Sequence, residues 1–285
     1  MPAARPFAGS PLSGRLKASI RRQVVSLFND PRGDAPVMRS TNALFASGSV
    51  VWRVHGDVAS MMVGGIASLM MQMLHPSVLA GVWDHSNFRA DMHGRLRRTA
   101  RFISMTTYGE RTAAEKAIAT VRRVHDQVTG TLPDGTPYSA NDPALLAWVH
   151  VTETTSFLDA WIRYSEPLMS RSDQDTYFTQ MAQIGEALGA DPVPRTRAEA
   201  RQIIAAMRPQ LKVDARTREV AGLILDGKTE PLMAELPRKL AMQAAVDLLP
   251  PWARSLHGLS VSPLERPLVR AGTFGVAQTL RWAFR

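Results

Sequence analysis

The stretch Val58–Leu74, VASMMVGGIASLMMQML, runs for 17 residues without a charged side chain. A helix that is apolar on every side belongs either inside a protein core or in a membrane. A bilayer span needs roughly 20 consecutive apolar residues, and Gly64, Gly65, Ser60, Ser68 and Gln72 dilute this one further. The sequence therefore predicts a central, wholly buried helix.

Outward from that segment the pattern is helical nearly everywhere, and no run alternates with period two. Candidate helices fall at 12–28, 39–54, 56–74, 76–84, 93–107, 110–129, 143–164, 172–188, 196–208, 214–226, 236–248 and 263–284. Asp142 before Pro143 reads as an N-cap with proline in the first turn, and Thr196 with Glu199 as a capping box. Breaks fall at GTLPDGTPY, GADPVPRT, LDGKTEP and LLPPW, where Gly and Pro end helices and start turns. None is long enough to be a linker. The expected architecture is all-α: one multi-helix globular domain over residues 36–285, with residues 1–35 as an N-terminal arm and first helix.

The 285-residue chain has no cysteine, which removes disulfide frameworks, cysteine zinc sites, iron–sulfur clusters and thiolate-ligated haem. A chain this long buries about three quarters of its unfolded surface and needs no such staple. The net charge is +9, but the arginines are spread from Arg5 to Arg285 and no nucleic-acid-binding signature is present. Nucleic acid is thus not expected as a partner. A basic surface also suits an anionic lipid or an acidic substrate, so peripheral membrane contact is a second expectation. The opening MPAARPFAGSPLSGRLKAS has no apolar signal-peptide core, and the predicted location is cytoplasmic.

Four groups of residues carry candidate chemistry. In ERTAAEKAIATVRRVHDQVTG, the residues Ala114, Ala117, Ile118, Val121, His125 and Val128 recur at helical spacing, which places His125 on an apolar stripe. It reads either as a ligand or as a buried neutral histidine bonded to a carbonyl. In GRLRRTARFISMTTYGE, Arg95, Arg98, Thr99 and Phe102 share one face. An internal guanidinium there needs a carboxylate or a bound anion, and the nearby acids are Asp84, Asp91 and Glu110. A ligand bearing carboxylates would supply the charge. The alternative is surface arginines lying over an apolar face.

The third group is His75, His85 and His93, whose spacings of ten and eight residues match no standard metal-ligand pattern. His75, just before Pro76, reads equally as a helix-initiating residue. In the fourth, Leu146, His150, Glu153, Phe157 and Trp161 share a face. Its His-x-x-Glu order reverses the Glu-x-x-His of di-iron bundles and has no second copy, which leaves a buried polar pair or a proton relay. No nucleophile elbow, phosphate loop or dinucleotide fingerprint is present.

Taken in order, HPSVLAGVWDHS, RLRRT, YG, VHDQVTG and GTPYSANDPALLAWVH resemble the oxygenase family that includes latex clearing protein and the membrane-bound oxygenase of fungal mycophenolic acid synthesis. The resemblance extends over residues 45–260. It implies an all-α protein that binds haem b, with His125 as the iron ligand. It also implies that Arg95 and Thr99 match the Arg and Thr of an Arg-x-x-Lys-Thr motif on the distal side. Arg98 stands where that motif has lysine, and a guanidinium is a poor iron ligand. Arg98 is better suited to a propionate, a substrate or bound dioxygen.

The set expected to hold the cofactor is accordingly Arg95, Arg98, Thr99, Phe102, Val121 and His125, with Arg98 and Thr99 as the catalytic pair. The expected activity is that of a haem b-dependent oxygenase or oxidase acting with dioxygen on an apolar organic substrate. Two alternatives are a haem-binding redox or sensor protein without turnover, and a cofactor-free helical protein at a membrane surface.

Overall fold

A computed structural model of the chain describes residues 11–28, 35–226 and 235–284. Most of the predicted LDGKTEP turn and the arm before Pro11 lie outside them, as does the side chain of His93. Among the described residues the order is α1 (Pro11–Phe28), α2 (Val50–His55), α3 (Val58–Gln72), α4 (Pro76–His85), α5 (Met92–Tyr108) and α6 (Arg111–His125). A hairpin of β1 (Thr129–Thr131) and β2 (Pro137–Ser139) follows. The chain then forms α7 (Pro143–Tyr164), α8 (Arg171–Leu188), α9 (Arg197–Met207), a short 3-10 turn, α10 (Ala215–Asp226), α11 (Glu235–Leu248), α12 (Pro251–His257) and α13 (Arg266–Phe284). The architecture is all-α, as the sequence predicts.

The uncharged segment becomes α3, and Val63, Ala67 and Met70 on it are each 1% exposed. Its start is fixed by Asp57, whose carboxylate accepts the Ser60 N–H at 2.9 Å and the Arg281 Nε–H at 2.7 Å. The longest neighbour of α3 is α7, and α11, α13 and α2 pack around the pair. Their close approach is set by Gly64. A Cβ on Gly64 would stand 2.9 Å from the Cα of Phe157 and from the carbonyl oxygen of Ser156, so only glycine lets the two backbones meet.

The polar residues of α3 are satisfied inside the bundle. Ser60 Oγ donates to Asp57 at 2.7 Å, Gln72 Nε2 donates to Ser68 Oγ at 2.8 Å, and Trp148 Nε1 donates to the Gln72 carbonyl at 3.3 Å. One expectation needs correction, because Met61, Met62, Gly65, Ile66 and Leu69 make a half-buried strip along α3. The helix is central but not enclosed on every side. No single helix among the described residues is long and apolar enough to cross a membrane, whereas α3 and α4 pass that test together with a 103° bend between them.

Three further differences from the sequence reading have local causes. The helix expected over 39–54 is confined to 50–55, because Gly48 takes a left-handed φ of +82° and Ser49 caps α2 by accepting the Trp52 N–H. The helix expected to end at 129 ends at His125, after which the chain forms the hairpin around Gly135 at φ +87°. The prolines of LLPPW start α12 as well as ending α11, since Pro251 sits in its first turn, where no N–H partner is required.

A one-methyl addition separates the two adjacent glycines of α3. Gly64→Ala should destabilise the protein by about 1–3 kcal/mol through overpacking. Gly65→Ala, whose methyl meets only the Phe157 ring edge at 3.7 Å, should be neutral or stabilising by up to ~1 kcal/mol through helix propensity. Urea unfolding of both variants checks this, and equal effects would remove the backbone contact from the account.

Candidate functional site

Helices α5 and α6 form an antiparallel pair joined at Gly109 and Glu110. Each start is capped: Asp91 accepts the Gly94 N–H at 2.8 Å, and Glu110 accepts the Thr112 N–H at 2.8 Å. His125 is the last residue of α6. It is half-buried, and its Nδ1 is fully buried with no hydrogen-bond partner among the described residues. The reading of a histidine bonded to a carbonyl through that nitrogen therefore does not hold.

Burial is the main force keeping the His125 imidazole below its ordinary pKa, with Asp126 opposing and the nearby Arg95 adding to the depression. The ring is thus neutral at physiological pH, with a nitrogen lone pair available to a metal.

Arg95 is the second feature of this pair. Its side chain is half-buried and forms no ion pair or hydrogen bond among the described residues. Burial first and Arg98 second lower its pKa, and no carboxylate offsets them. A desolvated guanidinium without an anion is costly, so the position favours an acidic ligand. Phe102 and Val121 are half-buried on the same two helices, and Phe102 packs against the main core.

Two expected neighbours point elsewhere. Arg98 is exposed and reaches back to the Asp91 cap, Nη1 to Oδ2 3.3 Å. Thr99 is also exposed, and its hydroxyl donates to the Arg95 carbonyl at 3.1 Å. The face predicted as one surface is therefore split, with Arg95 and Phe102 turned inward and Arg98 and Thr99 outward. His75 and His85 are separate too. His75 caps α4 by accepting the Ser77 N–H at 3.3 Å, and His85 Nε2 lies 3.0 Å from the Thr129 carbonyl. No group of three metal-ligating side chains occurs among the described residues.

The His150–Glu153 pair lies within the bundle without a hydrogen bond joining it. His150 packs its ring on Gly185, its Nε2 is unpartnered, and burial lowers its pKa to about 4. Burial raises the Glu153 carboxyl to about 7. Beside Glu153 stands a polar network that local sequence patterns did not reveal. His55 Nδ1 lies 2.8 Å from Thr107 Oγ1 and its Nε2 lies 2.9 Å from the Tyr177 hydroxyl, while burial first and Glu153 second raise the Tyr177 phenol. Burial brings His55 down to about 3. Its partners are 52 and 122 residues away, beyond any helical spacing.

Two surface recesses, one of about 590 Å³ around Arg208 and Trp252 and one of about 180 Å³ around Leu132 and Lys212, have no lining residue from α5 or α6.

A family model described as "ER-bound oxygenase mpaB/B'/Rubber oxygenase, catalytic domain" matches residues 52–282. No curated protein and no solved structure matches the chain.

The buried carboxyl has a signature in pH. Because Glu153 holds its proton more tightly when folded, the native state loses stability as pH rises from its ordinary value of 4.5 through about 7. His55 and His150 give the opposite slope between about 3 or 4 and their ordinary value of 6.5, which overlaps this window, and they do so equally in a Glu153→Gln variant. The melting temperature of that variant should gain on the parent across this window, by the equivalent of about 2–3 kcal/mol. A pH-independent difference would show that Glu153 is not held neutral by burial.

Proposed function

The chain belongs to the mpaB/rubber oxygenase catalytic-domain family, and from that premise we propose that it is a haem b-dependent oxygenase acting with dioxygen on an apolar organic substrate. The observation that carries the reading is the α5–α6 pair, where a neutral imidazole with a buried, unpartnered nitrogen stands near a half-buried guanidinium with no acid. Haem is a flat apolar ring with two carboxylates. These residues fit it: His125 would hold the iron, Arg95 would neutralise a propionate, and Phe102 and Val121 would offer apolar contact.

When bound, haem supplies the redox chemistry of dioxygen activation. The chain's own part is binding and electrostatics. Burial keeps the His125 ring unprotonated, and the Arg95 charge reinforces that state. Arg98 and Thr99 are consecutive on α5 and both face solvent. Held by Asp91, Arg98 presents fixed positive charge at the rim of the pair, where it would meet a propionate or a polar group of the substrate. Thr99 donates its hydroxyl hydrogen to the Arg95 carbonyl in a hydrogen bond, so in this state its oxygen can only accept a further one.

That outward placement of Arg98 and Thr99 is also the observation favouring a second reading, a haem-binding redox or sensor protein without turnover. Oxygen consumption in the presence of apolar substrates separates the two.

Protein expressed with haem should show a Soret band that His125→Ala abolishes or shifts. Arg95→Gln should retain the band but bind haem roughly tenfold more weakly, the worth of one charge-assisted hydrogen bond. A colourless protein, or an unchanged spectrum in His125→Ala, would overturn the proposal.

A further inference from the structure

At the opposite end of α7 four arginines converge on one acid. Asp247, near the end of α11, has a side chain only 1% exposed, and Arg163, Arg254, Arg266 and Arg270 all lie within 4.0 Å of its carboxylate. These come from α7, α12 and α13, so the cluster ties three helices to α11. The charges do not balance. Four guanidinium groups face one carboxylate, and the nearest other acid on α7, Asp159, is paired with Arg197.

The four are not equivalent. Arg163 and Arg254 each donate to the Asp247 carbonyl, at 3.1 and 2.9 Å, and so cap the negative end of α11. Their placement has a structural explanation. Arg270 binds the carboxylate through Nε at 2.8 Å. Arg266 is left over: its Nε is buried, 3.6 Å from Asp247 Oδ1, and has no hydrogen-bond partner among the described residues. Mutual repulsion from Arg266, Arg163 and Arg270 adds to burial in lowering the pKa of Arg254.

Arg266 and Arg270 are also the two that remain open, at 36% and 47% side-chain exposure. A cationic mouth over a satisfied cationic floor is suited to an anion arriving from solvent. Guanidinium forks match a phosphate in geometry, and a dianion would remove most of the excess charge. This anion is not a haem propionate at His125. The N-terminal end of α7 adjoins the end of α6 through Asn141, which donates to Asp126 at 2.6 Å. Arg163 lies twenty residues along the same helix, about 30 Å away at the α-helical rise.

We propose that the arginine cluster around Asp247 is a binding site for a phosphate-class dianion, taken up by Arg266 and Arg270. The group belongs either to a soluble phosphate compound or to a phospholipid headgroup, and the test distinguishes them.

Thermal melting and 31P NMR of the full chain are followed with inorganic phosphate replacing chloride at constant ionic strength. Phosphate should bind saturably and raise the melting temperature above chloride. Arg266→Gln and Arg270→Gln should each weaken binding roughly tenfold. Arg195→Gln, a surface arginine paired with Glu186, should not. Arg270→Lys, which keeps the charge and loses the fork, should fall between and serves if either glutamine variant does not fold.

Co-sedimentation with phosphatidylcholine vesicles containing phosphatidic acid, lost in the double variant and absent with phosphatidylcholine alone, assigns the site to a lipid headgroup. Phosphate binding without vesicle binding assigns it to a soluble compound. Phosphate no more stabilising than chloride, or unchanged affinity in Arg266→Gln and Arg270→Gln, would overturn the proposal and leave the cluster as a helix cap.

Discussion

The structure depends on one contact, the backbone of α7 at Ser156 and Phe157 lying against α3 at Gly64 with no side chain between them. Helices that touch this closely gain dispersion along their whole crossing, and a 22-residue α7 laid across α3 sets the long dimension of the bundle. Both proposed sites are then placed by α7. Its start adjoins the end of α6 and His125, and its end carries Arg163 to Asp247.

Charge is managed in the same economy. The net charge of +9 is compatible with a buried core because the inward arginines are paired, as Arg281 is with Asp57 and Arg197 with Asp159. Two places stand apart among the described residues. Arg95 beside His125 has no acid, and Arg266 shares Asp247 with three other arginines while its Nε makes no hydrogen bond. A desolvated guanidinium donor left unmet is costly, which links the cofactor site proposed for α5 and α6 with the anion site proposed at α11.

Much of the fold was legible because it rests on local rules. The uncharged run became α3, Asp142–Pro143 started α7, and Thr196 capped α9 by accepting the Glu199 N–H. The sequence predicts helix before Ser49 because the composition there carries no strong breaker except Gly48, whose positive φ is a tertiary fact. Periodicity also placed Arg95, Arg98, Thr99 and Phe102 on one face, but could not say where the boundary between core and solvent cuts that face. The Asp91 cap resolves it by drawing Arg98 outward. The Thr107–His55–Tyr177 network and the pairing of Asp247 with α7, α12 and α13 join distant segments, which spacing along one helix does not reveal. Family membership was legible from short motifs in order, which carry more information than any one helix face.

The central claim, that the imidazole at the end of α6 holds an iron, is tested most directly by resonance Raman spectroscopy of the ferrous protein with His125 replaced by glycine. The account predicts an iron–histidine stretching band in the parent, its loss in His125→Gly, and its return when free imidazole is added to fill the space. A band that persists in His125→Gly without imidazole would place the iron on another residue and contradict the account.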